Sequence, residues 1–396
     1  MKFSKKGITF LAILFLLGIL GSTFVYAENQ KVVSTFNTLN NEYFISWDKG
    51  CRAAAEALGI TYEPITTQGD ANKEMSSIES ALSSGVKIFA TAPIGAQSVP
   101  AITKLVNDND GFISITWDIP EWFTPLDVGD GFTTYLRPDI EKESYELAKL
   151  LFDYIEKKGR VIHITGLPGT TGDMLVTAGV NRALKEYPDI ELVGQLPGNY
   201  NRVDSQRVME NLLTAYPEFD AVFGQNDSTA IGALAAIETS GREIVPIVGL
   251  DGTKEALDLI KMGKLFATVS AFPEWQGGYG VVRAYDAANG YNPSVAERMM
   301  YTGYAIITKD NVDEFLNKMY GSDELPFDWK LMSKVLNPDT WDPQNSVTPI
   351  DPTNLWNEDQ KPAGYEIPSV YLDAVENDEL ERVTKEYQDH YKRKLF

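Results

Sequence analysis

"DAVFGQNDSTAIGALAAIETSGREIVPIVGLDG", residues 220–252, reads as strand, helix, strand. "DAVFG" is a short apolar run. "STAIGALAAIETSG" carries small and apolar residues through a helical stretch. "IVPIVG" is apolar and β-branched again. Two strands joined through a helix pair side by side in parallel. Both strands end in polar side chains: Asn226 and Asp227 after the first, Asp251 after the second.

The same alternation extends to both sides. Upstream, "KVVSTFNT" leads into the helical "NEYFISWDKGCRAAAEALG", which stops at Gly59. "ITYEPITT", a helix through "NKEMSSIESALSSG", "VKIFATAP", "SVPAITKLVNDN" and "FISITWD" follow. The pattern restarts after "GFTTYLRPD". It runs through "IEKESYELAKLLFDYIEKKG", "RVIHITG", a helix near 173–187, "IELVGQLP" and a helix near 203–216. A short helix to Gly263, "LFATVSAF", a helix near 275–289 and "GYAIITKD" complete it. The expected fold class is α/β, with two doubly wound parallel-sheet lobes. From about Gly321 the chain turns rich in proline and tryptophan. It ends in "SVYLDAVENDELERVTKEYQDHYKRK", which reads as one charged helix.

A chain of 396 residues, 43% hydrophobic, suggests two or three domains with their own cores. Lys2, Lys5 and Lys6, an apolar run and "VYA" ending at Ala27 have the form of a cleaved secretory signal peptide. Its removal takes away three lysines and no acid, moving the net charge from −21 to −24. So acidic a chain is repelled by nucleic acid and anionic lipid. The single cysteine, Cys51, excludes an intramolecular disulfide and reads as a buried thiol. His163 and His390 lie far apart, and no spacing resembles a zinc site.

In open parallel sheets ligands bind beyond the carboxyl ends of the strands, so the strand ends supply the candidates. They are Asn41, Tyr43 and Phe44 after the first strand, Asp118 in "ISITWDIP", and Asn226, Asp227 and Asp251 in the second half. Each has a plainer reading. Asn41 and Asp227 fit helix caps, Asp251 fits a turn, and Tyr43 and Phe44 fit a core. Their recurrence at one end of successive strands suggests instead a polar pocket with stacking faces. "GLPGTTG", residues 166–172, lacks the Lys-Ser/Thr ending of a phosphate loop. Asp118 and Asp251 could serve as an acid–base pair, but no activated nucleophile or cofactor motif accompanies them.

These motifs, with "YPEFDAVFGQNDSTAIGALAAIETSG" and "IVGLDGTKEALDLIKMGKLFATVS", resemble the periplasmic sugar-binding proteins of ABC importers. Within the type I periplasmic binding fold, the pattern is most similar to ribose binders. The likeness covers roughly residues 31–315. LacI-type repressors share it but carry an N-terminal helix-turn-helix and no signal peptide. The resemblance implies two lobes joined by three crossings, near Tyr135–Pro138, Ala271–Phe272 and Tyr301–Gly303. It implies Asn41, Tyr43, Phe44, Asp118, Tyr200, Asn226 and Asp251 as ligand-binding residues. Trp47, Trp117, Trp122, Met174 and Trp275 are further candidates. Three positions depart from the ribose pattern. Ile119 and Met174 stand where arginines are expected, and Ala271 where a glutamine is.

The resulting expectation is an extracytoplasmic, periplasmic or secreted receptor that captures a small sugar or polyol and delivers it to an ABC permease. It is expected to be monomeric, without cofactor, metal or catalytic residues, and to bind no nucleic acid. The expected parts are a signal peptide (1–27), an N-terminal lobe (28–136 and 272–302), a C-terminal lobe (137–271 and 303–316) and an extension (317–396). A sugar-sensing receptor of the same fold and a secreted glycoside hydrolase are the alternatives.

Overall fold

The computed structural model describes residues 30–356, 359 and 361–394. The expected signal peptide lies outside them. The described residues from Lys31 onward cluster as one compact unit.

The first half runs β1 (Lys31–Phe36), α1 (Glu42–Leu58), β2 (Thr61–Thr66), α2 (Ala71–Ser83), β3 (Ile88–Thr91), α3 (Val99–Asp108), β4 (Phe112–Thr116) and β5 (Phe132–Pro138). The second runs α4 (Ile140–Tyr154), β6 (Gly159–Thr165), α5 (Thr171–Glu186), β7 (Ile190–Pro197), α6 (Arg202–Ala215), β8 (Ala221–Gly224), α7 (Asp227–Thr239), β9 (Ile247–Val248), α8 (Lys254–Lys261) and β10 (Ala267–Ser270). Then come α9 (Pro273–Ala288), β11 (Met299–Thr302), β12 (Ala305–Thr308), α10 (Val312–Tyr320), α11 (Trp329–Met332), β13 (Val347–Pro349), α12 (Ser369–Glu376) and α13 (Glu379–His390).

The strands form two sheets, in the orders β13-β11-β5-β4-β3-β1-β2 and β12-β10-β9-β8-β6-β7. Pairing is parallel except at one edge of each sheet, where β13 runs against β11 and β12 against β10. The inner strands are covered on both faces, which is why β1 and β3 read as near-continuous buried runs. β2 lies at an edge, where Pro64 forfeits no central ladder bond.

The chain passes between the sheets after Pro138, at residues 271–272 and at residues 303–304. The first passage falls just beyond the expected Tyr135–Pro138, because those residues are still paired with β11. A fourth passage was not expected. After α10, which packs on α8, residues 321–346 return to the first sheet and add β13. The terminal helix is also two helices rather than one. Asp378 breaks it in a left-handed conformation (φ 55°), which Asp tolerates better than most residues.

The return segment has a physical purpose. Helix α9 is buried on every face, although it carries Glu274, Gln276, Arg283 and Asp286. One side packs on α1 and the first sheet; residues of the return segment cover the other. There Trp275 Nε1 donates to the Pro343 carbonyl at 2.7 Å. Ser333 and the Lys334 N–H donate to the Asp286 carboxylate. At the contact with α1, a Cβ on Gly50 would lie 1.8 Å from the Glu274 carbonyl oxygen, so only glycine allows this approach.

Candidate functional site

Each sheet reverses its strand order once. In the first, β1 lies between β2 and β3; in the second, β6 lies between β7 and β8. At such a point the following loops diverge to opposite faces and leave a crevice. The two crevices face each other and enclose a cavity of about 340 Å³. This lies at the lower end of the roughly 300–1,000 Å³ of small-molecule sites.

The first sheet contributes Asn41, Tyr43, Phe44, Trp117 and Asp118 to its wall. The second contributes Glu143, Val176, Tyr200, Asn226 and Asp251. Seven expected ligand-binding residues and Trp117 are therefore brought together.

The cap and pocket readings of the asparagines are compatible. Asn41 Oδ1 caps α1 by accepting the Tyr43 N–H at 2.9 Å, and Asn226 Oδ1 caps α7 by accepting the Thr229 N–H at 2.8 Å. Each cap leaves the amide nitrogen uncommitted, both residues line the cavity, and the Asn226 side chain favours the ionised form of Asp251. Asp227, by contrast, is a structural group. It is fully buried, accepting from Thr268 Oγ1 at 2.6 Å and the Thr253 N–H at 2.7 Å.

Strained backbone collects at this cavity. Trp117 (φ 83°), Tyr200 (φ 56°) and Asp251 (φ 115°) are all in the left-handed region that aromatic residues seldom occupy. Trp117 is held there by bonds at both ends. Its carbonyl accepts Tyr135 O–H at 2.5 Å, and its indole N–H donates to Tyr43 O–H, which in turn donates to Gln276 at 2.8 Å.

The glycines of "GLPGTTG" acquire a role here. A Cβ on Gly166 would lie 2.1 Å from Tyr200 Cζ, and one on Gly172 would lie 3.0 Å from its hydroxyl. They are a seat for a ring. Gly166→Ala is expected to cost about 1–3 kcal/mol in stability by overpacking. Its melting temperature should fall, and adding Tyr200→Ala should restore most of the loss.

Gln225 was overlooked in the sequence. Only 2% exposed, it accepts the Gly166 N–H at 2.8 Å and Tyr200 O–H at 3.4 Å, and donates to Thr177 Oγ1 at 2.9 Å. It thereby fixes the loop and the ring together. Its neighbour His163 is neutral, because burial lowers its pKa to about 3.

Glu143 was also missed, although the sequence carries a signal. It sits on the inward stripe of α4 with Ile140, Leu147 and Leu151, where a glutamate is out of place. Burial pushes its carboxyl well above the usual range, and Asp139, Asp251 and Glu146 push it further. Burial raises Asp251 in the same way, reinforced by Asp227 and Glu42. Asp118 is raised by burial against a hydrogen bond from Thr171, across the cleft, and the charge of Arg137.

Four candidates are not at the cavity. Met174 is 53% exposed on α5. Two residues advance a helix by about 200°, so Val176 faces inward where Met174 faces out. Trp47 is fully buried against Phe36. Trp275 lies under the return segment, and Trp122 packs against Trp356 and Tyr365 of the C-terminal region. Their aromatic character reported a covering layer. Ala271 does line the cavity, and supplies no side-chain hydrogen bond there.

Among the described residues no group of three or more His, Cys, Asp or Glu is arranged to hold a metal ion. No described helix is long and apolar enough to cross a membrane.

Residues 32–292 match the model of the family described as "Periplasmic binding protein domain". The ribose import binding protein of Escherichia coli K12 is 31% identical over 259 residues, spanning 64% of this chain and 83% of that protein. The xylitol-binding protein of Mycolicibacterium smegmatis is 25% identical over 297 residues, spanning 74% and 81%. Among solved structures, an ABC transporter solute binding protein from Bacillus halodurans C-125 with bound myo-inositol superimposes with a TM-score of 0.63. It is 26% identical, with 73% of this chain and 97% of that one covered.

Proposed function

The chain belongs to the periplasmic binding protein family, and on that footing we propose that it captures a small sugar or polyol between its lobes and delivers it to an ABC permease. The observation that carries this reading is the composition of the cleft wall. Carboxylates and amides stand beside the rings of Tyr43, Phe44, Trp117 and Tyr200, on both sides of one cavity. A sugar offers hydroxyls to the first set and C–H faces to the second.

The lobes we assign follow the passages of the chain, 31–138 with 272–302 and 139–271 with 303–320. The extension travels with the first through β13. Ligand bridging Asp118 and Asn41 on one lobe to Asn226 and Asp251 on the other favours the closed form, because only closure forms all the bonds and excludes water. Hinge closure of this kind is familiar from periplasmic binding proteins. Members of the family are solute-binding proteins, and we assign this one no turnover. The function also calls for export, which residues 1–27 would direct.

A thermal-shift screen against pentoses, hexoses, deoxy sugars, polyols and inositols tests the reading. A ligand at a hundred times its Kd adds about 2.7 kcal/mol to stability, a rise of several degrees in melting temperature. No shift across the library, or release of product from a glycoside, overturns the proposal.

A further inference from the structure

We infer that the ligand of this cleft carries a protonated amino group, seated between Glu143 and Asp251, so that its chemical class is an amino sugar or amino-cyclitol. The inference rests on the sugar- or polyol-binding reading above and deepens it.

The first observation is the charge of the wall. Asp118, Glu143 and Asp251 all line the cavity, and no lysine, arginine or histidine does. A neutral ligand leaves Glu143 and Asp251 as buried groups that oppose each other's ionisation, whereas a cation placed between them turns that repulsion into charge-assisted hydrogen bonds.

The second observation is independent of charge. Glu143 is 3% exposed, and its Oε1 has no hydrogen-bond partner. A buried carboxylate oxygen without a donor is a costly arrangement that native structures rarely keep without a use. Glu143 lines the cavity, so a rotation of its side chain can present that oxygen to a donor on the ligand. Asp251 also lines the cavity, with Asn226 beside it.

The third is the aromatic wall. The rings of Tyr43 and Trp117 meet edge to face, with centroids 5.1 Å apart, and Tyr200 stands on the opposite lobe. Ring faces attract cations as well as sugar C–H groups.

The surrounding charges set the sign of the pH dependence. Glu143 feels Asp139 and Glu146 on its own helix and Asp251 from the β9–α8 loop. Asp251 feels Asp227 and Glu42 as well. Arg137 acts on Asp118 and is stacked over Tyr301. Burial and these like charges favour the protonated acids in the empty cleft. An ammonium group must displace those protons, so its affinity rises as pH rises through their titration. A neutral sugar needs no such release.

The experiment compares matched pairs by calorimetry: D-glucose with D-glucosamine, D-galactose with D-galactosamine, D-mannose with D-mannosamine, and myo-inositol with 2-amino-2-deoxy-scyllo-inositol. N-acetyl forms of the amino sugars serve as uncharged controls. At least one amine is expected to bind about tenfold or more tighter than its hydroxyl parent and its N-acetyl form. That advantage should grow as pH rises through the titration of these acids, and Glu143→Gln should remove most of it. A neutral member that binds as well as its amine overturns the inference and leaves the sugar-binding reading standing. Absence of binding by every member overturns both. The matched pairs on the unmodified protein decide the matter even if Glu143→Gln does not fold.

Discussion

Replacing Lys334 by methionine is expected to lower stability by about 3–5 kcal/mol, the effect of stripping one partner from a buried ion cluster. Lys334 belongs to the return segment and is 6% exposed. Its Nζ lies 2.8 Å from Glu297 and 3.0 Å from Glu386, over the Trp341 ring at 3.9 Å. Glu297 also takes Arg283 at 3.3 Å, Tyr387 O–H at 2.9 Å and Tyr291 O–H at 2.7 Å. Only the Glu297 side is deeply buried; Glu386 is half-exposed and screened. Without Lys334, Glu297 keeps too little positive charge, and the layer over α9 loosens. Urea unfolding should show a lower midpoint, and Glu297→Gln in the same background should recover part of the loss. A change below about 1 kcal/mol would remove this cluster from the account of the fold.

The acids of this clasp respond oppositely to pH. Burial raises Glu297, but Arg283 and Lys334 outweigh it and hold the carboxyl well below its usual range. Its contribution is therefore present above the unfolded carboxylate pKa and is lost as pH falls through the folded value. Burial lifts Asp286 to about 6 against Ser333, Arg283 and backbone donors. Its contribution is full below its unfolded pKa and is lost as pH rises through about 6. Lys334→Met should flatten the acid side of the stability profile, because it removes a cation that lowers Glu297.

Asp118→Ala is expected to abolish ligand-induced stabilisation while leaving the empty protein folded. A carboxylate accepting two ligand hydrogen bonds contributes roughly 1.5–3 kcal/mol for each. Its loss should weaken binding by about 100-fold or more. Asn226→Ala should weaken binding too, but it also removes the α7 cap, at about 1 kcal/mol of stability in the empty protein. Met174→Ala is the control, since that side chain points to solvent. Unchanged affinity in Asp118→Ala would move the binding site elsewhere.

The fold was legible because its signals are local. Runs such as "DAVFG" and "IVPIVG" alternate with helical stretches, and parallel pairing follows from the crossovers. The strand-end candidates were legible for the same reason, since a doubly wound sheet gathers its strand ends by rule. Gln225 escaped because the Gly166 loop and the Tyr200 ring give it its meaning, and neither is near in sequence; Glu143 was overlooked although its place on the inward stripe of α4 marks it. Trp122 and Trp275 were misplaced because a buried indole reads alike against a ligand and against a layer of chain.

The sequence by itself determined the two α/β lobes, the end of each sheet that carries the cleft, and the acidic, aromatic character of its wall. Those follow from periodicity and residue type, which act over a few residues. The tertiary structure alone decided that Val176 and not Met174 faces inward, that residues 321–349 return to cover α9, and that three carboxylates meet one cavity without a cation. These depend on which distant surfaces touch, and long-range packing sets that, not local preference.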